Sequence, residues 1–365
     1  MSVTWAQALA WRTHRHLLDP VGEASVAEVV RRLGAVLATD EALAELAVGA
    51  RRAAPAPGDL GRALDDGELV KVAAFRGAVH YLSADDGGAY LALRGAGRQW
   101  ELPSWQRHYG LGPADWPAFR DAVREALAAG PCTLPELGAS VTGRAAFRHL
   151  RAVFDDGADT LVKPLMWQGD MGYGRPRDGR ATFRSLPGPR WAGVWELDEA
   201  GPHAVRSYLR AYGPATPQQV HRWLGNGLSA GRKRLQGWLA QLDDELEAVD
   251  VDGERTYVLA EDVDELRAAR PTPAVRLLPG HDQWVMGPGT GDEHVVPAAH
   301  RTAVTRRANL VVAGGVVRGT WSTSGGDAAV TWSGSGAAPV EAVEEQVERI
   351  ATITGRPLRV SLRLA

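Results

Sequence analysis

One cysteine in 365 residues, Cys132, leaves the chain without an intramolecular disulfide or a thiolate cluster, which points to a reducing compartment, the cytoplasm. Long apolar runs are missing as well. None approaches the roughly 20 residues that cross a bilayer, so a spanning helix and a membrane partner are excluded. The first eighteen residues, MSVTWAQALAWRTHRHLL, interleave charges with apolar positions and lack a small-residue cleavage site. They read as an amphipathic helix and not as a signal peptide. An excess of one charge is absent: Lys and Arg number 41 against 44 Asp and Glu, a formal net charge of −3. A polycation is therefore excluded, and any nucleic-acid binding has to use a local basic face. Phenylalanine is scarce (5) beside tryptophan (13). Rings of that size usually fill cores, with base stacking as the minority use. With 45% apolar and 23% charged residues, the composition is that of a folded globular protein, long enough for several packed units.

What the chain does contain is an internal repeat. Gly130-Pro131-Cys132-Thr133 recurs as Gly213-Pro214-Ala215-Thr216, each after an amphipathic helix (Trp116–Ala129 and His203–Tyr212). In each, the threonine opens a capping box, Thr133 with Glu136 and Thr216 with Gln219. Further on, Asp178-Gly179-Arg180-Ala181-Thr182-Phe183 matches Asp252-Gly253-Glu254-Arg255-Thr256-Tyr257. Each Asp-Gly lies between strand-like runs, the mark of a two-stranded hairpin whose turn needs positive φ. A fainter copy comes first: Ser25 and Glu28 make another capping box, followed by the helix Val26–Val36, and Leu69–Phe75 and Ala78–Leu82 flank Arg76-Gly77. Three units of helix, capped helix, helix and hairpin predict an α+β, mainly helical fold. It consists of three tandem winged helix-turn-helix units (residues 1–110, 111–190 and 191–270) and a β-rich C-terminal region (271–365). In that last region we expect a strand and aromatic turn over Val275–Gly287, a hairpin Asn309–Trp321, a strand Ala328–Trp332, a helix Val340–Thr352 and a closing strand.

Chemical motifs are few. Gly227-Leu228-Ser229-Ala230-Gly231 has nucleophile-elbow spacing, but a helix rather than a strand precedes it, so Ser229 reads as a helix cap. His14 and His16 would face different sides of a helix, and His294 and His300 lack partners at ligand spacing, so no metal is expected. Nor is there a phosphate loop or dinucleotide fingerprint. Basic residues remain. Arg232, Lys233 and Arg234 stand at the start of a helix in the recognition position of the third unit. His300, Arg301, Arg306 and Arg307 precede the Asn309 hairpin, and Arg76 sits at the first hairpin turn. Either group suits phosphate neutralisation or a solvated surface. The Asn309–Trp321 hairpin is a candidate groove-contacting element or an ordinary core hairpin.

Taken together, Val3–Leu17, Ala74–Leu82, Trp100–Gly110, the two G-P-x-T units, Leu277–Gly287, Pro297–Arg301 and Val316–Trp321 resemble the winged-helix DNA glycosylases of the AlkZ/YcaQ type, the AlkZ branch more closely. The resemblance implies tandem winged helices around a C-shaped channel and a monomer on double-stranded, alkylated DNA. It also implies cofactor-free cleavage of the N-glycosidic bond of bulky alkylated purines, including interstrand crosslinks, in DNA repair or antibiotic self-resistance.

At the active site the chain departs from that family. Where a Gln-x-Gln or Gln-x-Asp motif is expected, it reads Leu37-Ala38-Thr39. Leucine has no donor or acceptor with which to hold a water, and threonine is a feeble base. Asp40 and Glu41 could take over with a backbone shift of one or two residues, or Thr39 and Asp40 could simply cap the helix Glu41–Val48 that follows. Two readings stay open here: a monofunctional DNA N-glycosylase using Thr39 and Asp40, or an inactive winged-helix protein that shields lesions or regulates transcription.

Overall fold

The computed structural model describes residues 3–186 and 190–364; Met1 and Ser2 of the N-terminal segment lie outside them. The fold is a mixed α+β one, mostly helical, with several small sheets. The chain opens with a helix Trp5–Arg15, whose Thr4 cap forms a box with Gln7.

The same order of elements then occurs three times. Helix Val26–Leu33 leads to the short strand β1 (Val36–Leu37), helices Glu41–Gly49 and Asp59–Asp65, and a hairpin of β2 (Leu69–Ala73) and β3 (Val79–Ser83). Helix Trp116–Ala128 leads to β4 (Cys132–Thr133), helix Leu134–Thr142, further helices to Trp167, and β5 (Gly172–Tyr173) with β6 (Thr182–Arg184). Helix Leu197–Tyr212 leads to a single bridging residue, Ala215, which pairs with Tyr257. Helices Pro217–Val220 and Arg232–Gln241 and a hairpin of β7 (Leu246–Val251) and β8 (Glu254–Leu259) follow. The three hairpin turns use the same backbone solution. Arg76-Gly77, Asp178-Gly179 and Asp252-Gly253 all have positive φ at both residues, between 49° and 87°, the twist that joins two strands by a two-residue loop.

The expected third copy was one helix out of register. The helix Val26–Val36 stops at Leu33, because Gly34 takes φ 74° and the next residues pair with β3. Ser25 does cap it, but Glu28 turns to Arg31 and Arg32 instead of completing a box. The position equivalent to Thr133 and Thr216 is Asp40: it follows the short strand and caps the next helix, its Oδ1 accepting Leu43 N–H at 3.1 Å. A lone strand of two residues carries too little periodicity to be seen beforehand. Thr133 and Thr216 form their boxes as expected, Glu136 accepting Thr133 N–H at 2.7 Å and Gln219 accepting Thr216 N–H at 2.8 Å. Ser229 caps nothing. It sits at φ 65° and its hydroxyl accepts from Arg94 at 3.0 Å, while Gly231 precedes the helix.

The C-terminal region is a five-stranded sheet of β9 (Val275–Leu278), β10 (Asn309–Ala313), β11 (Val316–Ser324), β12 (Asp327–Trp332) and β13 (Arg359–Leu364), in the order β13-β12-β11-β10-β9. All pairs are antiparallel except β12 and β13, which the helix Val340–Thr354 connects. That helix buries Val343, Val347, Ile350 and Ile353 against the sheet and against Leu46 of helix Glu41–Gly49. The Asn309–Trp321 hairpin forms where expected but is not free to enter a groove. Its strands are central in the sheet, and its Gly314-Gly315 turn is covered: Gly315 O accepts the Trp284 indole at 2.9 Å and lies against Leu9. The exposed hairpin tip is the next one, residues 322–327. Ten of the thirteen tryptophans are buried, so their main use is as core.

Candidate active site

Short as it is, β1 sets the positions where the catalytic motif was expected. Leu37 pairs with His80 of β3, so the two side chains share one face of the sheet. Thr39, two residues on, continues that face. Leu37 is half-buried and Thr39 exposed. Both line a cavity of about 230 Å³ with Phe75, Arg76, His80, Trp223, His281, Gln283 and Met286. The cavity thus lies where the first repeat, the π-helical segment His221–Asn226 of the third (Trp223) and the C-terminal region (His281–Met286) converge. Trp223 stacks on Phe75 with ring centroids 4.4 Å apart, which makes one wall flat and aromatic.

Another part of the lining, His281, Gln283 and Met286, comes from the segment Pro279–Gly287, and four anchors hold it. Gly280 N–H donates to Asn309 Oδ1 at 2.8 Å. Asp282 receives both arms of Arg51, at 2.6 and 2.9 Å, with neither side chain exposed at all. The same carboxylate accepts Trp284 N–H at 2.8 Å, and Tyr208 Oη donates to Gly287 O at 3.2 Å. The segment needs an unusual backbone: His281 adopts φ 59°, a conformation rare outside glycine and asparagine. Gln283 is 2% exposed, and its Oε1 has no hydrogen-bond partner among the described residues.

The cavity is electrically neutral inside and cationic at its rim. Burial pushes His80 down to about 4, so it is neutral at pH 7. Its Nδ1 lies 2.9 Å from Ala78 O and must carry the proton, since a carbonyl only accepts; Nε2 keeps the lone pair. Burial also lowers His281, and the nearby Arg307 lowers it further. Arg76 at the rim is lowered by desolvation first and then by Arg222. No carboxylate is among the residues lining this cavity. The site can therefore hold a water by neutral donors and acceptors, and can meet an anionic backbone at its edge. Among the described residues no group of three His, Cys, Asp or Glu is placed to hold a metal ion, and no helix is long and apolar enough to cross a membrane.

The expected site residues divide into three groups. Leu37, Thr39, Arg76 and Arg307 come together; Arg307 donates to Thr39 Oγ1 at 3.1 Å. Asp40 lies apart from the cavity lining, with its carboxylate committed to the helix N-terminus. The remaining cations are dispersed. Arg232 and Lys233 are exposed at their helix start, whereas Arg234 is bound to the carbonyls of Ala230 and Ala96. Arg306 is exposed, Arg301 pairs with Glu293 at 2.9 Å, and His300 is half-buried. His80, His281 and Gln283 were missed. The available signal was a His-x-Gln spacing just after Pro279-Gly280, in a stretch read as an aromatic turn.

Comparison with known proteins fits this arrangement. The sequence model of a family described as DNA glycosylase AlkZ-like matches residues 30–353. An interstrand DNA cross-link repair glycosylase of Streptomyces sahachiroi is 36% identical over 364 residues, 97% of this chain and 98% of that one. The solved structure of Streptomyces sahachiroi DNA glycosylase AlkZ superposes with a TM-score of 0.91 at 35% identity, covering 99% of this chain and all of that one.

Proposed function

The chain belongs to the AlkZ-like DNA glycosylase family, and we propose that it excises bulky N7- or N3-alkylated purines, crosslinked ones included, from double-stranded DNA. The observation that carries this is the end-to-end similarity to a crosslink repair glycosylase, with a cavity at the motif positions. We read the three recurrences of helix, short strand, helix, helix and hairpin as winged helix-turn-helix units, disposed as a C around duplex DNA. The unit limits are residues 1–110, 111–190 and 191–270, with 271–365 as the C-terminal region. The protein acts as a monomer in the cytoplasm, in repair or in self-protection against a DNA-alkylating compound.

The chemistry asks little of the protein. A purine alkylated at N7 or N3 is cationic and departs as a neutral base, so the glycosidic bond is already weak. What remains is to hold a water near the anomeric carbon and to tolerate an oxocarbenium-like sugar. A cavity of about 230 Å³ is below the range of roughly 300–1,000 Å³ typical of pockets that engulf a small molecule. That suits an enzyme that reaches the sugar without swallowing a bulky base, unlike base-flipping glycosylases. The rim arginines Arg76 and Arg307 serve phosphates.

The test is incubation with a duplex carrying one N7-methylguanine, followed by hot alkali. Scission above the protein-free depurination rate is expected. Taken alone, Leu37 and Thr39 favour a protein that binds lesions without cutting, and tight binding with no added scission would establish that instead.

A further inference from the structure

We propose that Gln283, together with His281, holds and deprotonates the attacking water, doing from elsewhere in the same cavity lining what Leu37 and Thr39 are not equipped to do. The inference rests on the glycosylase reading above. Four observations carry it. Gln283 Oε1 is buried and unpartnered among the described residues, at a residue lining the cavity. A buried acceptor left unpaired costs on the order of 1–3 kcal/mol, so such groups in native proteins call for an explanation. His281 lines the same cavity from a left-handed backbone, and strain of that kind gathers at functional sites. The two residues stand two apart, the spacing of the polar pair that β1 lacks. Finally, the segment is pinned by Asn309, Tyr208 and the buried Arg51–Asp282 pair, so both side chains project from a rigid support.

The step balances without a co-reactant. The water oxygen bonds to C1′ of the sugar, and the C1′–N bond breaks with its electron pair passing to the cationic purine, which leaves neutral. The proton lost by water goes to the His281 imidazole and then to solvent. Burial and Arg307 keep the imidazole neutral, so it has a lone pair to receive the proton, and the Thr305 carbonyl at Nε2 favours the imidazolium that forms. Of the charged and titratable groups around it, Arg76 and His80 line the same cavity, Arg307 and the Arg51-paired Asp282 line the adjoining cleft with it, and Thr305 O lies 3.5 Å from Nε2.

The experiment is single-turnover release of N7-methylguanine from duplex DNA by wild type, Gln283→Leu, Gln283→Glu and Gln283→Leu/Leu37→Gln, with DNA affinity and Tm measured for each. Gln283→Leu is expected to slow release by about 100-fold with affinity within about threefold, on the scale of general acid–base contributions. Gln283→Glu, which keeps an acceptor, is expected to retain a third or more of the rate. Adding Leu37→Gln is expected to recover at least tenfold, well beyond the gain of Leu37→Gln alone in the wild-type background, an excess that a merely structural role for Gln283 would not permit. If Gln283→Leu stays within threefold of wild type, or if its loss tracks Tm and neither of the other variants recovers release, the proposal is overturned while the glycosylase reading stands. A wild type that releases nothing overturns both.

Discussion

Replacing Asp282 by alanine tests the support of the cavity wall. Asp282 and Arg51 are both fully buried, joined by two bonds at 2.6 and 2.9 Å. Arg51 Nη1 has one further partner, Ala47 O at 2.6 Å, and Nε has none among the described residues. Removing the carboxylate leaves a guanidinium in the interior with a single carbonyl for company. Loss of one partner from a buried pair costs about 3–5 kcal/mol, whereas replacing both by apolar groups of similar size is often near neutral. At about 2.1 cal/mol/K of unfolding entropy per residue, 4 kcal/mol lowers the Tm of a chain this long by about 5 °C. Urea unfolding of Asp282→Ala, Arg51→Met and the double variant Arg51→Met/Asp282→Leu measures the effect. Each single substitution should cost more than about 3 kcal/mol and the double variant less than about 2 kcal/mol. A cost below about 1 kcal/mol for Asp282→Ala, or a double variant as poor as either single, would show that the pair does not hold the segment.

Four further outcomes follow from the same geometry. Asp40→Ala should lower stability by about 1 kcal/mol, as loss of a helix cap does, and leave base release within about threefold of wild type; a loss of release at unchanged stability would put the carboxylate in the reaction. Leu37→Gln with Thr39→Gln should raise the release rate, since the added amides face the cavity occupied by His80 and Gln283; no gain in a folded variant would place the reaction elsewhere. Arg76→Ala and Arg307→Ala should each weaken binding to undamaged duplex and reduce the salt slope by about 1, which titration at several ionic strengths reads directly. His80 is lowered from 6.5 to about 4 by burial, so the folded state resists the proton that the unfolded state accepts. Its stabilising contribution is complete above pH 6.5 and lost as pH falls toward 4, about 3 kcal/mol over that window. Urea titrations across it should show the decline, and His80→Asn should flatten it.

Elements with strong local grammar were legible in the sequence. The capping boxes at Thr133 and Thr216, the paired Asp-Gly turns and the strands of the C-terminal sheet depend on a few neighbouring residues, so the text of the chain carries them. The first repeat was placed one helix too early because β1 is two residues long and its cap is an aspartate, not a threonine. The Asn309 hairpin was found, but which hairpin tip is exposed depends on helix Trp5–Arg15 packing over its turn, a contact across some 300 residues. Of the candidate site, Leu37 and Thr39 were picked out as motif positions, and both line a cavity. Arg307 was singled out as a DNA contact and proves to touch Thr39. Gln283 and His281 left only a His-x-Gln spacing, which means little by itself, because their placement follows from a buried ion pair between residues 51 and 282 and from a left-handed backbone at a histidine.

If this cavity cuts a glycosidic bond, chromatography of a duplex with one N7-alkylguanine, incubated with excess protein, will detect the intact alkylated base set free well above the protein-free rate, with the strand unbroken until alkali is added. Full occupancy of the duplex with the base lost only at the spontaneous rate would refute the assignment.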